Sequence, residues 1–488
     1  MQIFVIALVF GIFIHDSKVI RDVMPENLIP AAWLVAIVLL PKLILGAAYA
    51  FQCRFTTGHM GQLSSQKRIR WLDRNSEFYR WSLLGLYGLD LWAGLLHQSR
   101  LVLGNSILID ELVVMTPTLT MVIWAWWAYY PVDRSIREAS LIGQIDAGLP
   151  VWPILTRRHY LISQIRHQLT YLFVPLMLVL AWSELVRDFA GPQWDGLSTP
   201  ALFAGLGCVV LFAPVMIRWL WDTTPLPPGR LRHMLTQMCQ RHRVGVRELL
   251  VWRTFGGMIN AAVMGLVGPL RYILLTDALL ESMPHKQVEA VMAHEIAHVR
   301  RGHMFWLLAV ATTLLLSLQL LWTQLALLAV KATEQAGLTT IPLHEQQDMV
   351  SAVAMVVSMA NWLAAFGWVS RRFERQADTF AVQHLSSCRA ETAPDQQPAG
   401  NGTVAVDDES VHTMSEALAQ VAALNHIAPN RRSWRHGSIA WRRAYLQQLV
   451  GQPINRLSID QLVFKVKLLA CILGGMLLGG FVFLEIRH

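Results

Sequence analysis

Charged residues are scarce in this chain. Only 15% of its 488 residues are Asp, Glu, Lys or Arg, whereas 54% are hydrophobic, and the mean hydropathy is +0.39. Soluble domains carry about a quarter charged residues. This shortage argues against an ordinary soluble enzyme and predicts an integral membrane protein. The net charge of +8 then indicates basic loops on the cytoplasmic side of a lipid bilayer, and we expect no nucleic-acid partner.

Cysteine and several catalytic signatures are also missing or rare. The five cysteines include no pair at C-x-x-C spacing, so neither a disulfide framework nor a cysteine zinc site is expected. The chain contains no glycine-rich phosphate loop, no G-x-S-x-G elbow and no internal repeat. The apolar stretch 2–14 lacks a basic region before it and a small-residue cleavage site after it. It is predicted to be a retained short span or signal-anchor.

The sequence contains nine long apolar stretches. Most are near the ~20 residues that a helix needs to cross a bilayer. They fall at 2–14, 28–51, 81–97, 107–130, 169–186, 200–220, 305–330, 348–369 and 464–484. The first is short, and the third contains Asp90. That carboxylate is either a functional group inside the membrane or the mark of a span shifted toward the interface, and the second interpretation is preferred.

The connections between these stretches alternate in basic residues. Four of them contain 31 Lys and Arg in total, and the four that alternate with them contain 5. The rich set comprises 52–80, 131–168, 221–304 and 371–463, and the poor set comprises 15–27, 98–106, 187–199 and 331–347. The positive-inside rule places the rich set in the cytoplasm.

The domain organisation follows from these spans. We predict an N-terminal transmembrane region with about six spans, the two parts of a catalytic domain separated by a transmembrane hairpin, and a final span. The boundaries are 1–222, 223–304, 305–370, 371–463 and 464–488. The Pro- and Gly-rich run from Thr223 to Gly229 ends the preceding helix. Residues 386–412 contain few large apolar groups, and they are predicted to be a disordered insertion.

One short motif carries chemistry. His294-Glu295-Ile-Ala-His298 is an H-E-x-x-H sequence. On a helix, His294 and His298 lie on one face and can bind one metal ion, while Glu295 can reach a metal-bound water as general base. The alternative is a polar helix face with two histidines.

A catalytic zinc site needs a third protein ligand. Two predicted spans separate His298 from Glu374, so Glu374 returns to the same side of the membrane. Asp378, one helical turn further on, could accept a hydrogen bond from a liganding imidazole. The alternative for both carboxylates is a solvated helix paired with Arg371, Arg372 and Arg375.

Together these motifs resemble those of the HtpX-type and CAAX-prenyl-endopeptidase-type integral membrane metalloproteases. H-E-I-A-H is followed by Glu374-x-x-Ala-Asp378, with a predicted transmembrane hairpin between them. Thr224-Pro-Leu-Pro, Asn260-Ala261 and the segment Arg271–Leu280, which contains the β-prone run Tyr272–Thr276, also resemble the family pattern. His436-Gly-Ser-Ile-Ala-Trp-Arg442 resembles its late H-P-S-x-x-x-R element, with Gly437 where the family usually has Pro.

The resemblance implies a fold and a set of roles. The fold is mainly α, a multi-pass transmembrane helical protein with a cytoplasmic zincin-like α+β metalloprotease domain. One Zn²⁺ per chain is implied at His294, His298 and Glu374, with Glu295 as general base, Asp378 behind the ligands and Arg442 holding substrate or the oxyanion. Asn260 and Ala261 are implied to lie on a strand edge that pairs with a protein or peptide substrate.

Several functions stay open at this point. Within the enzyme class, the chain could degrade misfolded membrane proteins or trim lipidated C-termini. A third possibility is a signal-transducing protease that cleaves one regulator, with residues 1–220 as the receiver. A non-enzymatic membrane scaffold with a degenerate site is disfavoured, because both histidines, the base and a candidate third ligand are all present.

Overall fold

The protein is described from a computed structural model that covers residues 2–15, 30–58, 65–104, 106–146, 151–189, 195–336, 343–392, 404–425 and 427–487. The chain divides into two compact units, Met1–Thr223 and Thr224–His488. The division falls within the Pro- and Gly-rich break, one residue after the boundary that the sequence predicts.

The first unit is made of helices. They are α1 (Gln2–His15), α2 (Ala31–Gly58), α3 (Ser65–Trp92), α4 (Leu95–Leu103), α5 (Ile109–Asp146), α6 (Arg157–Gln164), α7 (Tyr171–Phe189) and α8 (Asp195–Leu220). A π-helical turn, Ile165–Thr170, connects α6 to α7. Residues from α1, α3 and α5 form a shared apolar core that includes Leu8, Leu83 and Met115.

Asp90 is buried near the C-terminal end of α3. Its Oδ2 atom lies 2.6 Å from Nζ of Lys42, and both side chains are almost fully buried. The carboxylate is therefore compensated by a cation from α2 within the protein, and it is not simply a marker of a solvated helix end.

Seven helices of the described residues are long and apolar enough to cross a membrane, by length and composition. They are Trp33–Gly58, Ile109–Ala139, Arg157–Asp188, Pro200–Leu220, His303–Thr333, Val353–Thr392 and Ser458–Gly480. The two stretches at 2–14 and 81–97 are not among them, so four such helices lie in the first unit where the sequence predicted about six. Few residues of these helices are buried, which exposes their apolar side chains to a bilayer. The fold is a mainly helical multi-pass membrane protein.

A small sheet supports the site in the second unit. Its strands are β1 (Thr223–Pro225), β2 (Glu248–Trp252), β3 (Ala261–Met264) and β4 (Tyr272–Thr276), in the order β1-β2-β4-β3. The β-prone run at 272–276 is confirmed as the central strand β4, and all five of its residues are buried. Strand β2 runs parallel to β4, and β3 runs antiparallel to it at the edge.

Helices complete the second unit. They are α9 (Arg230–Arg241), α10 (Asp277–Ser282), α11 (His285–Arg300), α12 (His303–Gln335), α13 (Leu343–Thr392), α14 (Asp408–Leu424), α15 (Ile439–Gln447) and α16 (Ser458–Arg487). Side-chain caps start three of them, because Thr276, Asp407 and Ser438 each accept a hydrogen bond from a backbone N–H of the first turn. Helices α12 and α13 pack against each other, where the sequence predicts a hairpin at 305–370.

The structure differs from the predicted insertion 386–412 at both ends. Helix α13 continues to Thr392, and α14 begins at Asp408. The reason is local packing: Ser386 is buried, and its hydroxyl accepts a hydrogen bond from the backbone N–H of Asp407. Residues 393–403, the middle of the predicted insertion, lie outside the described residues.

Candidate metal centre

Helix α11 places the side chains of the two motif histidines next to each other. His294 and His298 are one turn apart, and their Nε2 atoms are 3.2 Å from each other. The opposite side of the helix is fixed in the core by buried residues that include Met292, Ala293 and Ile296. The orientation of the imidazoles is thus set by the packing of α11, as the helical spacing predicts.

Helix α13 brings Glu374 to the same point. Its Oε2 atom lies 3.7 Å from Nε2 of His294, and its Oε1 atom lies 3.8 Å from Nε2 of His298. The potential ligand atoms of the three residues are all within 4.8 Å of one another. Glu374 is only 6% exposed and Asp378 is 0% exposed. Neither carboxylate lies on a solvated helix face, which was the alternative for these positions.

Asp378 lies behind His294. Its Oδ1 atom is 2.9 Å from Nδ1 of His294, the nitrogen that faces away from the three ligand atoms. Arg442 from α15 donates from Nε and Nη2 to the two carboxylate oxygens of Asp378, at 2.7 and 2.5 Å. Arg442 is itself buried, and its Nη1 lies 3.7 Å from Oε2 of Glu374. The contacts of Arg442 and Asp378 therefore connect His294 to Glu374.

Two further histidines lie near the site, and neither was assigned as a metal ligand from the sequence. His303 is buried, its Nδ1 lies 3.0 Å from Nδ1 of His298, and its Nε2 contacts Oε1 of Gln376 at 2.9 Å. His436 is half exposed, and its Nδ1 lies 3.0 Å from Oε1 of Glu374. On one continuous helix, two residues five positions apart, such as His298 and His303, would point to different faces.

The helix is not continuous, and this explains the contact. Helix α11 ends at Arg300, and Gly302 adopts a φ of +65°, a left-handed conformation that glycine tolerates. The chain turns there and α12 begins at His303. The Arg-Gly pair before His303 was the sequence signal for a helix end that could have located this histidine.

Glu295 borders a cavity of about 390 Å³. Six of the other residues singled out from the sequence also line it, together with two neighbours: Asn260, Ala261, His294, His298, Glu374 and Arg442, with Arg435 and His436. Its apolar wall comes from α10, α14 and α15, with Leu279, Met414, Leu418, Val421 and Ile439. Such a volume and mixed lining are typical of a site that binds a segment of a larger ligand.

The predicted strand-edge residues lie in the same cavity wall. Asn260 and Ala261 both line it, and β3 begins at Ala261. The backbone groups of Asn260 bond to Thr276 of β4. Because successive residues of a strand point their backbone groups to opposite sides, those of Ala261 point toward the open edge. All eight residues singled out from the sequence therefore converge on one region.

Burial dominates the electrostatics of the centre. It raises the pKa of Glu295 to about 7 and lowers the pKa of His298 to about 3. Burial opposes protonation of His294 as well, but the Asp378 carboxylate outweighs it and raises the pKa of that imidazole. A neutral His298 has the lone pair that a metal ligand needs, and a metal ion would replace a proton on His294.

The residues fit a zinc ion. Two imidazole nitrogens and a carboxylate oxygen converge, which is the ligand set of many catalytic zinc sites. The second nitrogen of each imidazole faces a partner, Asp378 for His294 and His303 for His298. Partners of this kind fix the tautomer and orientation of liganding histidines. A second group of possible ligands, Glu289, His384 and Cys388, lies elsewhere on the same two helices.

Comparisons with known proteins agree with the geometry. Residues 229–396 match the family model of peptidase family M48. A protease HtpX homolog from Janthinobacterium sp. (strain Marseille) is 31% identical over 132 residues, 27% of this chain and 40% of that protein. The CAAX prenyl protease 1 homolog of Arabidopsis thaliana is 28% identical over 175 residues, 35% of this chain and 40% of that protein. The resemblance inferred from the motifs is confirmed.

Two other matches extend over more of the chain. A protease HtpX homolog from Aeropyrum pernix is 23% identical over 309 residues, 60% of this chain and 85% of that protein. The crystal structure of S. mikatae Ste24p superimposes with a TM-score of 0.46 at 14% identity, covering 86% of this chain and 100% of that one. The Janthinobacterium and Arabidopsis alignments each span 40% of the relative's length.

Proposed function

Given a chain whose central residues 229–396 match peptidase family M48, we propose that this protein is a zinc-dependent endopeptidase of the membrane. It hydrolyses peptide bonds in membrane-associated or misfolded proteins. His294, His298 and Glu374 bind one catalytic zinc ion, and Glu295 is the general base. The observation that carries the proposal is the convergence of the three ligand atoms within 4.8 Å, at the wall of a cavity that Glu295 also borders.

The chemistry divides between the metal and the protein. When bound, zinc supplies a Lewis acid that activates water and polarises the scissile carbonyl. Glu295 removes a proton from the attacking water and delivers it to the leaving amine nitrogen. Burial raises the pKa of Glu295 to about 7.

Arg442 is proposed to stabilise the oxyanion of the transition state. Its Nε and Nη2 atoms donate hydrogen bonds to the carboxylate of Asp378, and Nη1 takes part in neither of these two bonds. Arg442 also lines the cavity, and the half-exposed His436 lies beside it. A fixed cation that faces developing negative charge needs no reorganisation during the reaction, which is the main source of its effect.

The substrate is proposed to bind as an added strand. Strand β3 is at the edge of the sheet, and Ala261 lines the cavity. An extended peptide that pairs with Asn260-Ala261 would lie across Glu295. Main-chain pairing is independent of side chains, so this geometry favours a broad range of extended segments over one fixed sequence.

Two kinds of relative suggest two substrate classes. HtpX proteases and a CAAX prenyl protease homolog both match this chain. Incubation of the purified protein with an unfolded membrane protein and with a prenylated peptide separates these classes. We expect cleavage of the unfolded membrane protein. Exclusive cleavage of the prenylated peptide would instead assign the trimming of lipidated C-termini.

The catalytic domain is proposed to face the cytoplasm. The proposal depends on the excess of Lys and Arg in the connections that carry it. A Lys286→Cys variant places a thiol at an exposed position of α11. A membrane-impermeant thiol reagent should label this variant more than wild type only after the cells are opened. Stronger labelling of the variant in intact cells would reverse the orientation.

Bound metal and cleavage, measured together, test the function. We expect about one zinc ion at this site in detergent-purified wild type, and cleavage of a broad peptide library. Glu374→Ala should lose both. Glu391→Ala is the matched control, because Glu391 is on the same helix but exposed and paired with Arg241. Zinc retained at the histidines in Glu374→Ala would mean that the third ligand lies elsewhere.

A further inference from the structure

A second cluster of metal-ligand side chains joins the same two helices. Glu289 is on α11, and His384 and Cys388 are one turn apart on α13. Nε2 of His384 lies 3.3 Å from Oε1 of Glu289, and Sγ of Cys388 lies 3.8 Å from the same nitrogen. The potential ligand atoms of all three residues are within 4.8 Å of one another. None of them takes part in the proposed hydrolysis.

The three residues of this cluster are partly or fully buried. His384 is 4% exposed, and Glu289 and Cys388 are partly buried. A buried imidazole, a carboxylate and a thiol are each costly to desolvate without a partner. The three groups face one another between two helices, so a cation between them would satisfy all three.

A fourth side chain holds His384 in the required orientation. His242, which follows α9, places its Nε2 atom 2.9 Å from Nδ1 of His384. Burial lowers the pKa of His242 to about 4, so this imidazole is neutral and can accept a hydrogen bond. If Nδ1–H of His384 donates to it, Nε2 of His384 keeps a lone pair on the side of Glu289, whose Oε1 is 3.3 Å away, while Sγ of Cys388 lies 3.8 Å from both ring nitrogens. Liganding histidines in proteins are held in this way.

The spacing and the donor types specify the kind of ion. Metal–ligand distances of about 2.0–2.3 Å in a tetrahedral site separate neighbouring ligand atoms by about 3.3–3.8 Å. The observed separations of 3.3 and 3.8 Å at His384 are of this size. A thiolate, an imidazole and a carboxylate together suit a borderline divalent cation such as zinc, and they do not suit calcium or magnesium.

We propose that Glu289, His384 and Cys388 form a second zinc-type site, in addition to the catalytic one. Its role is structural or regulatory: Glu289 precedes His294 by five residues on α11, and His384 follows Glu374 by ten on α13. A metal ion there cross-links the two helices that supply the catalytic ligands. It thereby fixes how these helices lie against each other, without contacting the substrate.

The same contacts admit another explanation without a metal. In the other tautomer, Nε2–H of His384 donates to Glu289 while His242 donates to Nδ1, which makes a hydrogen-bonded chain. The two explanations differ in one property: only a metal site makes the sulfur of Cys388 a ligand. The experiment therefore has to observe a metal–sulfur bond.

Cobalt substitution observes that bond directly. The full-length protein in detergent is stripped of metal and loaded with Co²⁺, and its near-ultraviolet spectrum is recorded. A thiolate bound to Co²⁺ gives a charge-transfer band, which the catalytic ligands His294, His298 and Glu374 cannot give. We expect the band in wild type and its loss in Cys388→Ser. Cys239→Ser, which changes a buried cysteine of α9, should retain it.

A catalytic-site variant makes the result independent of the proposed function. His294→Ala/His298→Ala should lose catalytic metal and still show the thiolate band, with about one metal ion per chain against about two in wild type. A wild-type protein without the band, or a band that survives Cys388→Ser, would overturn the second site. The absence of the band from the wild-type protein can be observed without any variant. It would therefore overturn the second metal site even if Cys388→Ser fails to fold.

Discussion

Arg442 and Asp378 form a two-point ion pair in which both partners are buried. Nε and Nη2 of the guanidinium donate to the two carboxylate oxygens at 2.7 and 2.5 Å. The same carboxylate lies 2.9 Å from Nδ1 of His294. The late H-x-S-x-x-x-R motif and the metal helix are thus connected through a single aspartate, and the orientation of His294 depends on a residue 148 positions later in the chain.

Arg442→Lys should weaken the metal site. Lysine keeps the charge but cannot form two parallel hydrogen bonds with one carboxylate. Asp378 would lose its fixed position, and we expect a roughly 10–100-fold loss of metal affinity, the usual cost of removing an outer partner of a liganding histidine. Competition with a chelator measures it. The adjacent Arg443→Lys is the control, since Arg443 is more exposed and pairs with Glu416. Equal effects of the two changes would contradict the special role of Arg442.

Glu295→Gln should separate binding from chemistry. Glutamine has almost the same shape but cannot accept the proton of the attacking water. We expect the variant to keep its zinc and to lose about 10²–10⁴-fold in the rate of peptide cleavage, the range typical of a general base. Metal analysis and single-turnover cleavage of the same preparation provide both values. Glu281→Gln, an exposed carboxylate on α10, should behave like wild type. Full proteolysis by Glu295→Gln would remove this residue from the mechanism.

His303→Ala should loosen the metal without abolishing it. His303 contacts Nδ1 of His298 at 3.0 Å and stacks on Phe373 with ring centroids 4.7 Å apart. Its loss leaves His298 without the partner that orients it, so metal affinity should fall by about tenfold or more. His285→Ala, at an exposed position of the preceding helix, is the control. A chelator titration in which both variants match wild type would show that His303 only fills space.

Gly437→Pro should destabilise the protein, although the family usually has proline there. In this chain Gly437 has a φ of +76°, which proline cannot adopt, and its N–H donates to the carbonyl of Ser433. An added Cβ would also come within 2.8 Å of Trp441. We expect a loss of about 2 kcal/mol or more in the free energy of unfolding. Gly437→Ala should cost less, because it keeps the N–H. Thermal unfolding in detergent compares the three proteins, and an unchanged or raised midpoint in the proline variant would contradict this account.

The sequence predictions that agree best with the structure are those that depend on the spacing of residues along a helix or on the number of apolar spans. A four-residue spacing on a helix puts His294 and His298 on one face wherever that helix packs. Likewise, the number of predicted spans between His298 and Glu374 was enough to place them on the same side of a membrane. The β-prone run at 272–276 also became a strand, and all five of its residues are buried in the sheet.

Other features depended on contacts that no local pattern contains. The proximity of His303 to His298 follows from a chain reversal at Gly302, and the position of His436 beside Glu374 follows from where α15 packs. The span at 81–97 was predicted from apolar residues alone, yet α3 begins at Ser65, ends at Trp92 and buries Asp90 against Lys42. Composition could not reveal that a cation from another helix would compensate this carboxylate.

By itself, the sequence determined that this is a helical membrane protein with an H-E-x-x-H metal helix, because hydropathy and helical periodicity are local properties of the chain. The tertiary structure alone decided that Arg442 fixes Asp378, that His303 contacts His298 and that Glu289, His384 and Cys388 face one another. Those relationships join residues from different helices and loops, and only the packing of α11 and α15 against α13 brings their side chains within a few ångströms.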